Sequence, residues 1–275
     1  MNDSRSFCLL ALASLLSLPL AAKAAEVVTL IAGEWLPYLS ETLPHNGPVA
    51  RVVTEAFALE GVDVKYLFRP WNRAYAEAAK DLAHGTLVWS MSGKQTDRTL
   101  RFHQSAVLFH GQSVFFHRKN FPFQWRGEQS LKGLRMGGTA GYEYFFDRSP
   151  LLNIDKSAST DAQNFHKLLA GRFDVFPLNL DVGLSIMKTD LTPQEASVLT
   201  WDPRPYNIAH YHVLFNRKNP ANKRHVALFD RGLKRLRESG RYDQVMKGFA
   251  QEGKPGGLER ERRTRGAMKK APGTP

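Results

Sequence analysis

Two strand-like segments with closely similar endings divide this chain and limit what it can fold into. Ser113 to Asn120 reads SVFFHRKN, and His212 to Asn219 reads HVLFNRKN. Either these are unrelated edge strands that end in basic turns, or they are a crossing pair through which the chain leaves one lobe and later returns to it. The second reading divides the folded part into a discontinuous lobe of residues 25–115 with 214–253 and an inserted lobe of residues 116–213. Both fall near the common domain size of ~100–150 residues.

The periodicity on either side agrees with two α/β units. Val27–Ala32 (VVTLIA) is a β-branched run ended by Gly33, the pattern of a buried strand. Pro48–Glu60 sets Val49, Val52, Val53, Ala56, Phe57 and Leu59 near helical spacing, and Gly61 stops it. Val62–Phe68 alternates as a strand, the stretch from Trp71 to Gly85 reads as a helix, and Thr86–Met91 is another strand. Strand, helix, strand, helix, strand implies a parallel sheet with covering helices. The order restarts with a strand at Leu134–Gly137 and a helix expected over Tyr142–Arg148. A weaker strand at Asn153–Lys156, a helix over Ala162–Leu169 and a strand at Phe173–Leu178 follow. Beyond the second paired segment, Lys223–Gly253 gives two helical stretches separated by Gly240. Val226, Phe229, Leu233 and Leu236 share one face, which is expected to dock on the first lobe.

The two ends differ in kind from this middle. Residues 1–24 place Arg5 before an apolar run from Phe7 to Leu20 and an A-x-A step at Ala22-Lys23-Ala24, the order of a cleavable export signal. The run is shorter than the roughly 20 residues a membrane span needs. The only cysteine, Cys8, falls inside it, so the processed chain is expected to have no disulfide, thiolate metal site or cysteine nucleophile. Residues 254–275 are rich in Gly, Pro and charge and read as a disordered tail. That tail carries seven Lys/Arg against two Glu, +5 of the chain's net +12. A basic balance concentrated in a tail points to solubility and weak attraction to anionic polymers; no nucleic-acid partner is expected.

Several short motifs then fall in a fixed order: Pro37-Tyr38, Pro70-Trp71-Asn72-Arg73-Ala74, and Thr96-Asp97-Arg98 with Ser105 beyond it. Gly137-Gly138-Thr139-Ala140-Gly141-Tyr142, Gly171-Arg172-Phe173-Asp174 and Ser239-Gly240-Arg241-Tyr242-Asp243 complete the set. With them the chain, over residues 26–251, resembles the family 3 periplasmic solute-binding proteins, the group that includes receptors for polar amino acids in ABC import systems. The resemblance implies an α/β, two-lobed periplasmic binding protein fold (type II), each lobe a mixed sheet flanked by helices, joined by two hinge strands. It implies a periplasmic, monomeric binder of a small polar solute, an amino acid or related carboxylate. The solute is held between the lobes without a cofactor and passed to an inner-membrane ABC permease. Arg98 then matches the residue that holds the ligand carboxylate, Ser90 and Ser92 line the adjacent strand end, and a helix opening at Thr139 offers main-chain N–H groups. Two positions depart from the family pattern. The acidic residue that takes a ligand ammonium aligns with Asn179, the nearest carboxylate being Asp181, and the usual Gly-x-x-Asp is Gly85-Thr86-Leu87-Val88.

The residues carry a reading of their own. Arg98 follows a strand end and a Gly-containing turn, where open α/β sheets bind ligands, and its planar fork of donors suits a carboxylate. A solvated or ion-paired surface arginine is the alternative. Arg73, one turn into a helix behind Trp71, is either a second anion contact or a capping charge. Trp35, Tyr38 and Trp71 are either cleft walls or core of the first lobe. The glycine-rich step before Tyr142 is no phosphate loop, since no Gly-Lys-Ser/Thr follows. His210 and His212 share a strand face and are read as structural, with no metal site. Two other functions stay open: a dehydratase-like enzyme on the same scaffold, with Glu34, Glu143 or Asp181 as its acid–base candidates, and a sensor module uncoupled from transport.

Overall fold

The computed structural model describes residues 25–90, 97–144, 146–147, 149–150 and 152–252, with side chains described to residue 247. The expected export signal (1–24) and basic tail (254–275), and Ser92 among the candidate site residues, lie outside the described residues.

The first half of the chain forms β1 (Glu26–Ala32), α1 (Pro48–Ala58), β2 (Val62–Phe68), α2 (Trp71–Ala79), β3 (Gly85–Ser90), α3 (Asp97–Arg101), β4 (Phe102–Gln104) and β5 (Phe109–Arg118). The second forms β6 (Met136–Thr139), β7 (Ile154–Ala158), α4 (Asp161–Leu169), β8 (Val175–Asn179), α5 (Leu180–Thr189), α6 (Pro193–Ser197) and β9 (Leu199–Trp201). The return strand β10 (Asn207–Asn216), α7 (Asn222–Glu238) and α8 (Arg241–Glu252) close the chain.

The strands run in the order β2-β1-β3-β10-β5-β8-β6-β7, with β4 on β10 and β9 on β5. At each end the pairs β1–β2, β1–β3, β6–β7 and β6–β8 are parallel. In the middle β5 and β10 are antiparallel to each other and to their outer neighbours β8 and β3. Two mixed α/β halves therefore share two long strands, the two-lobed arrangement expected.

The crossing itself lies upstream of the repeated endings. β5 pairs with β10 only over Phe109–Ser113 against Tyr211–Asn207. Beyond Ser113, β5 pairs with β8 and β9; beyond Tyr211, β10 pairs with β3 and β4. The similar segments SVFFHRKN and HVLFNRKN thus run into opposite halves, each as the strand beside its own half's parallel set.

Burial explains the helices. α1 turns Val49, Val52, Val53, Ala56 and Phe57 inward, all at 1% exposure or less. α7 presents Phe229, Leu233 and Leu236, and a Cβ on its Gly232 would sit 2.0 Å from Ala56 O, so the helix backbones touch there. Close helix contact of this kind docks the C-terminal helices on the first half, as their apolar face predicted. His212 is buried with Nδ1 2.9 Å from Ser105 O, while His210 lies on the exposed side against the His110 ring.

One predicted element is corrected. The segment from Tyr142 towards Asp147 is irregular, not helical, where described. Tyr142, Tyr144 and Phe146 recur every second residue, and Tyr144 and Phe146 stack together (5.5 Å, 10°) into a core cluster with Phe115, Met136 and Val175. A helix would point those two rings about 200° apart, so packing selects an extended path.

Candidate functional site

The carboxyl ends of β3 and β8 and the crossing of β5 with β10 face one cavity of about 110 Å³. In this measure a single water takes roughly 10–15 Å³, so there is room for a small molecule. The crevice beyond the carboxyl ends of parallel strands is where open α/β sheets bind ligands.

The first half supplies a buried cation and indole walls. Val88 has φ +65°, and the register of β3 with β10 skips it, with Trp89 opposite His212 and Leu87 opposite Val213. A β-branched residue in this left-handed region is strained, and a bulge of this kind re-aims the residues beside it. Trp89 and Ser90 follow it at the cavity wall. Arg98, on α3, is 6% exposed. Its Nη1 donates to Ser90 O at 3.1 Å, and its guanidinium lies 4.6 Å from the Trp89 ring centre. Burial pulls its pKa down, and the Glu143 carboxylate opposes that pull. Trp71 packs edge-on to Trp89 (5.4 Å, 89°) and donates from Nε1 to Glu34 O at 3.1 Å. Gly33 makes room for it, since a Cβ there would come within 2.4 Å of the indole. Trp35 lies edge-on to Tyr211 of the return strand at 5.0 Å.

The second half answers with a loop and a helix N-terminus. Glu143 Oε2 lies 3.1 Å from Arg98 Nη1, with its side chain 49% exposed. It is the one carboxylate lining the cavity among the described residues. Tyr142 donates to the buried Asp161 at 2.9 Å. Burial raises the Asp161 carboxyl to about 6, against the hydrogen bonds from Thr139 and Tyr142. Asn179 caps α5, its Oδ1 accepting from Asp181 N (3.0 Å) and Val182 N (3.2 Å).

Among the described residues, three contacts beside the cavity cross from one half to the other. They are the Arg98–Glu143 ion pair, a hydrogen bond donated by Tyr38 Oη to Asp181 Oδ2, and the packing of Gly141 on Asn72. A Cβ on Gly141, at φ +84°, would lie 2.2 Å from Asn72 Oδ1. Arrangements of this kind belong to the closed position of a hinged pair.

Of the residues singled out from sequence, Arg98, Trp35, Trp71, Ser90 and Asn179 wall the cavity. Four need correction. Arg73 is an exposed arginine paired with Glu77 at i+4 (2.5 Å), not an anion contact in the cavity. Tyr38 and Asp181 do not line it either, because each has the other as partner across the cleft. Thr139 turns away from it: its N–H donates to Tyr144 Oη, its hydroxyl donates to Asp161, and Asn164 Nδ2 donates to that hydroxyl. No helix opens there, so its main-chain N–H is already spent. The sequence reading passed over Trp89, Tyr142, Tyr144, Tyr206, Asn207 and Tyr211. Asn207 and Tyr211 lie on β10 just ahead of His212–Asn219, the segment that the sequence marks as a hinge strand.

No protein-family model matches the chain, and no curated protein matches it in sequence. Solved structures do match in fold. A histidine kinase sensor domain with similarity to periplasmic binding proteins aligns with TM-score 0.68 and 16% identity, over 82% of this chain and 97% of that one. The GluR0 ligand-binding core from Nostoc punctiforme, in complex with L-glutamate, aligns at 0.64 and 14%, over 81% and 98%. An amino acid ABC transporter substrate-binding protein from Streptococcus pneumoniae bound to L-arginine aligns at 0.62 and 14%, over 81% and 94%. The chain has the two-lobed fold of periplasmic binding proteins.

Proposed function

We propose that this protein is an exported receptor, not an enzyme, that captures a small carboxylate-bearing solute between its lobes and closes over it. The observation that carries the reading is Arg98. Its cation is buried in the wall of an aromatic cavity, and its one ion-pair partner among the described residues is a half-exposed glutamate from the opposite lobe. A lone partly solvated partner is a weak reason to bury a guanidinium. A planar anion accepting its donor fork is a better one.

Capture then follows from the geometry. The solute carboxylate takes the Arg98 donors, its body lies against Trp35, Trp71 and Tyr211, and lobe two closes through Tyr38–Asp181 and Gly141–Asn72. Catalysis finds little support. Glu34 accepts from Glu41 N at 3.0 Å and Asp181 is held by Tyr38, which leaves Glu143 without a second carboxylate or a histidine in the cavity among the described residues.

We place the receptor in the periplasm, released by cleavage of residues 1–24 and acting as a monomer that delivers its solute to an ABC permease. The similar substrate-binding proteins support delivery; the similar kinase sensor domain supports signalling as the second reading. The test is thermal unfolding of wild type and Arg98→Ala across a panel of small carboxylates. At least one carboxylate should stabilise wild type, and none should stabilise the variant. Equal stabilisation of both removes Arg98 as the anchor.

A further inference from the structure

The cavity wall says more about the solute than that it is an anion. Asn179 is 4% exposed and lines the cavity. Its Oδ1 is spent on two main-chain N–H groups, Asp181 N and Val182 N, at 3.0 and 3.2 Å. Its Nδ2 is buried with no hydrogen-bond partner at ordinary length among the described residues, only a weaker contact with the Tyr211 hydroxyl. The capping contact fixes which end of the amide is which, because only the oxygen can accept from those N–H groups. The unspent group of Asn179 is therefore a donor. Buried donors without partners are uncommon and costly, and a ligand oxygen is one way to satisfy them.

Three acceptors nearby are already engaged. Ser90 O takes Arg98 Nη1, Glu143 takes the same guanidinium, and Tyr144 Oη takes Thr139 N. A bound primary ammonium brings three N–H donors that each need an acceptor. Here it would meet a second donor at Asn179, and the one carboxylate lining the cavity among the described residues, Glu143, is the group that the solute acid displaces toward solvent.

We infer that the solute is a carboxylic acid without an α-ammonium group, whose second polar group is an oxygen acceptor (a 2-oxo, hydroxyl or second carboxylate oxygen) on a flat or apolar body. The inference rests on the proposed role of Arg98 and adds the identity of the group beside it. It departs from the similar structures, whose bound L-glutamate and L-arginine both carry that ammonium. Arg98 takes the acid, Asn179 Nδ2 takes the second oxygen, and the rings of Trp35, Trp71 and Tyr211 cover the body. Glu143, displaced from Arg98, swings to solvent, where it is already half exposed.

Calorimetric titration of the full chain with matched pairs tests this directly: phenylpyruvate against L-phenylalanine, 4-methyl-2-oxopentanoate against L-leucine, and 2-oxoglutarate against L-glutamate, with glycine betaine as a quaternary ammonium acid. In each pair that binds, the oxo acid should bind at least tenfold more tightly. Asn179→Asp keeps an oxygen cap on α5 while replacing the donor by a carboxylate, and it should shift that ratio at least tenfold toward the amino acid. Tighter binding of the amino acid or of betaine to wild type, or a ratio unmoved by Asn179→Asp, overturns the inference and leaves Arg98 as receptor. If no acid of either kind binds wild type, the receptor reading itself falls and takes the inference with it.

Discussion

The two walls of the cleft are built differently. On the first lobe, Arg98, Trp89 and Ser90 sit on β3 and α3 around a strained bulge, and the cation is fixed by a main-chain carbonyl and an indole face. On the second, the facing charge comes from an irregular loop whose Glu143 is half exposed, and the loop is held from beneath by the Tyr142–Asp161–Thr139 cluster. Under the proposed function, the contrast means that recognition is rigid on one side and adjustable on the other, as suits a receptor that opens and closes on a fixed anchor against a counter-wall that can give way.

The comparison breaks most readily at the anchor. Charge-assisted hydrogen bonds contribute ~1.5–3 kcal/mol each, so Arg98→Ala should weaken carboxylate binding by roughly 10- to 100-fold or more, read by calorimetry. Equal losses from Arg98→Ala and Glu143→Ala would erase the distinction between the walls.

The support under the second wall comes next. Burial holds the Asp161 carboxyl at about 6, above its ordinary value of 3.8, so the fold favours the protonated form. The folded state then binds more protons than the unfolded one between those values. The stability this group contributes is full below about pH 4 and lost as pH rises through about 6, on the order of 2–3 kcal/mol. Urea unfolding at pH 4 and pH 7 should show that loss in wild type and not in Asp161→Asn. Parallel pH profiles would contradict it.

The smallest effect is expected at the contact between the walls. Gly141→Ala places a side chain at φ +84° and against Asn72 Oδ1, at a cost of about 1–2 kcal/mol. Solute affinity should fall about tenfold or less, and adding Asn72→Ala should recover part of it. Unchanged affinity would mean that closure does not bring these residues together.

How much of this was legible follows the same division. The parallel strands and α1 announce themselves by periodicity, and Arg98, Trp35 and Trp71 follow strand ends and a helix start that the sequence marks. The crossing strands were visible as a pair, though their contact lies at Phe109–Ser113, before the repeated endings. The second wall was hidden. Tyr142, Tyr144 and Phe146 alternate as an extended segment does, and the glycine-rich step ahead of them read instead as a helix start. Glu143 gained its role only from Arg98 lying opposite. Arg73 carried a readable warning in Glu77 four residues on, whereas the Tyr38–Asp181 bond joins residues 143 positions apart and leaves no local trace.

A crystal structure of the complex with a carboxylate that stabilises the protein tests the central claim most directly. The account predicts the acid oxygens at ~2.7–2.9 Å from the Arg98 guanidinium, with Glu143 moved away from its present 3.1 Å contact. A solute bound elsewhere, with the Arg98–Glu143 pair intact, would contradict it.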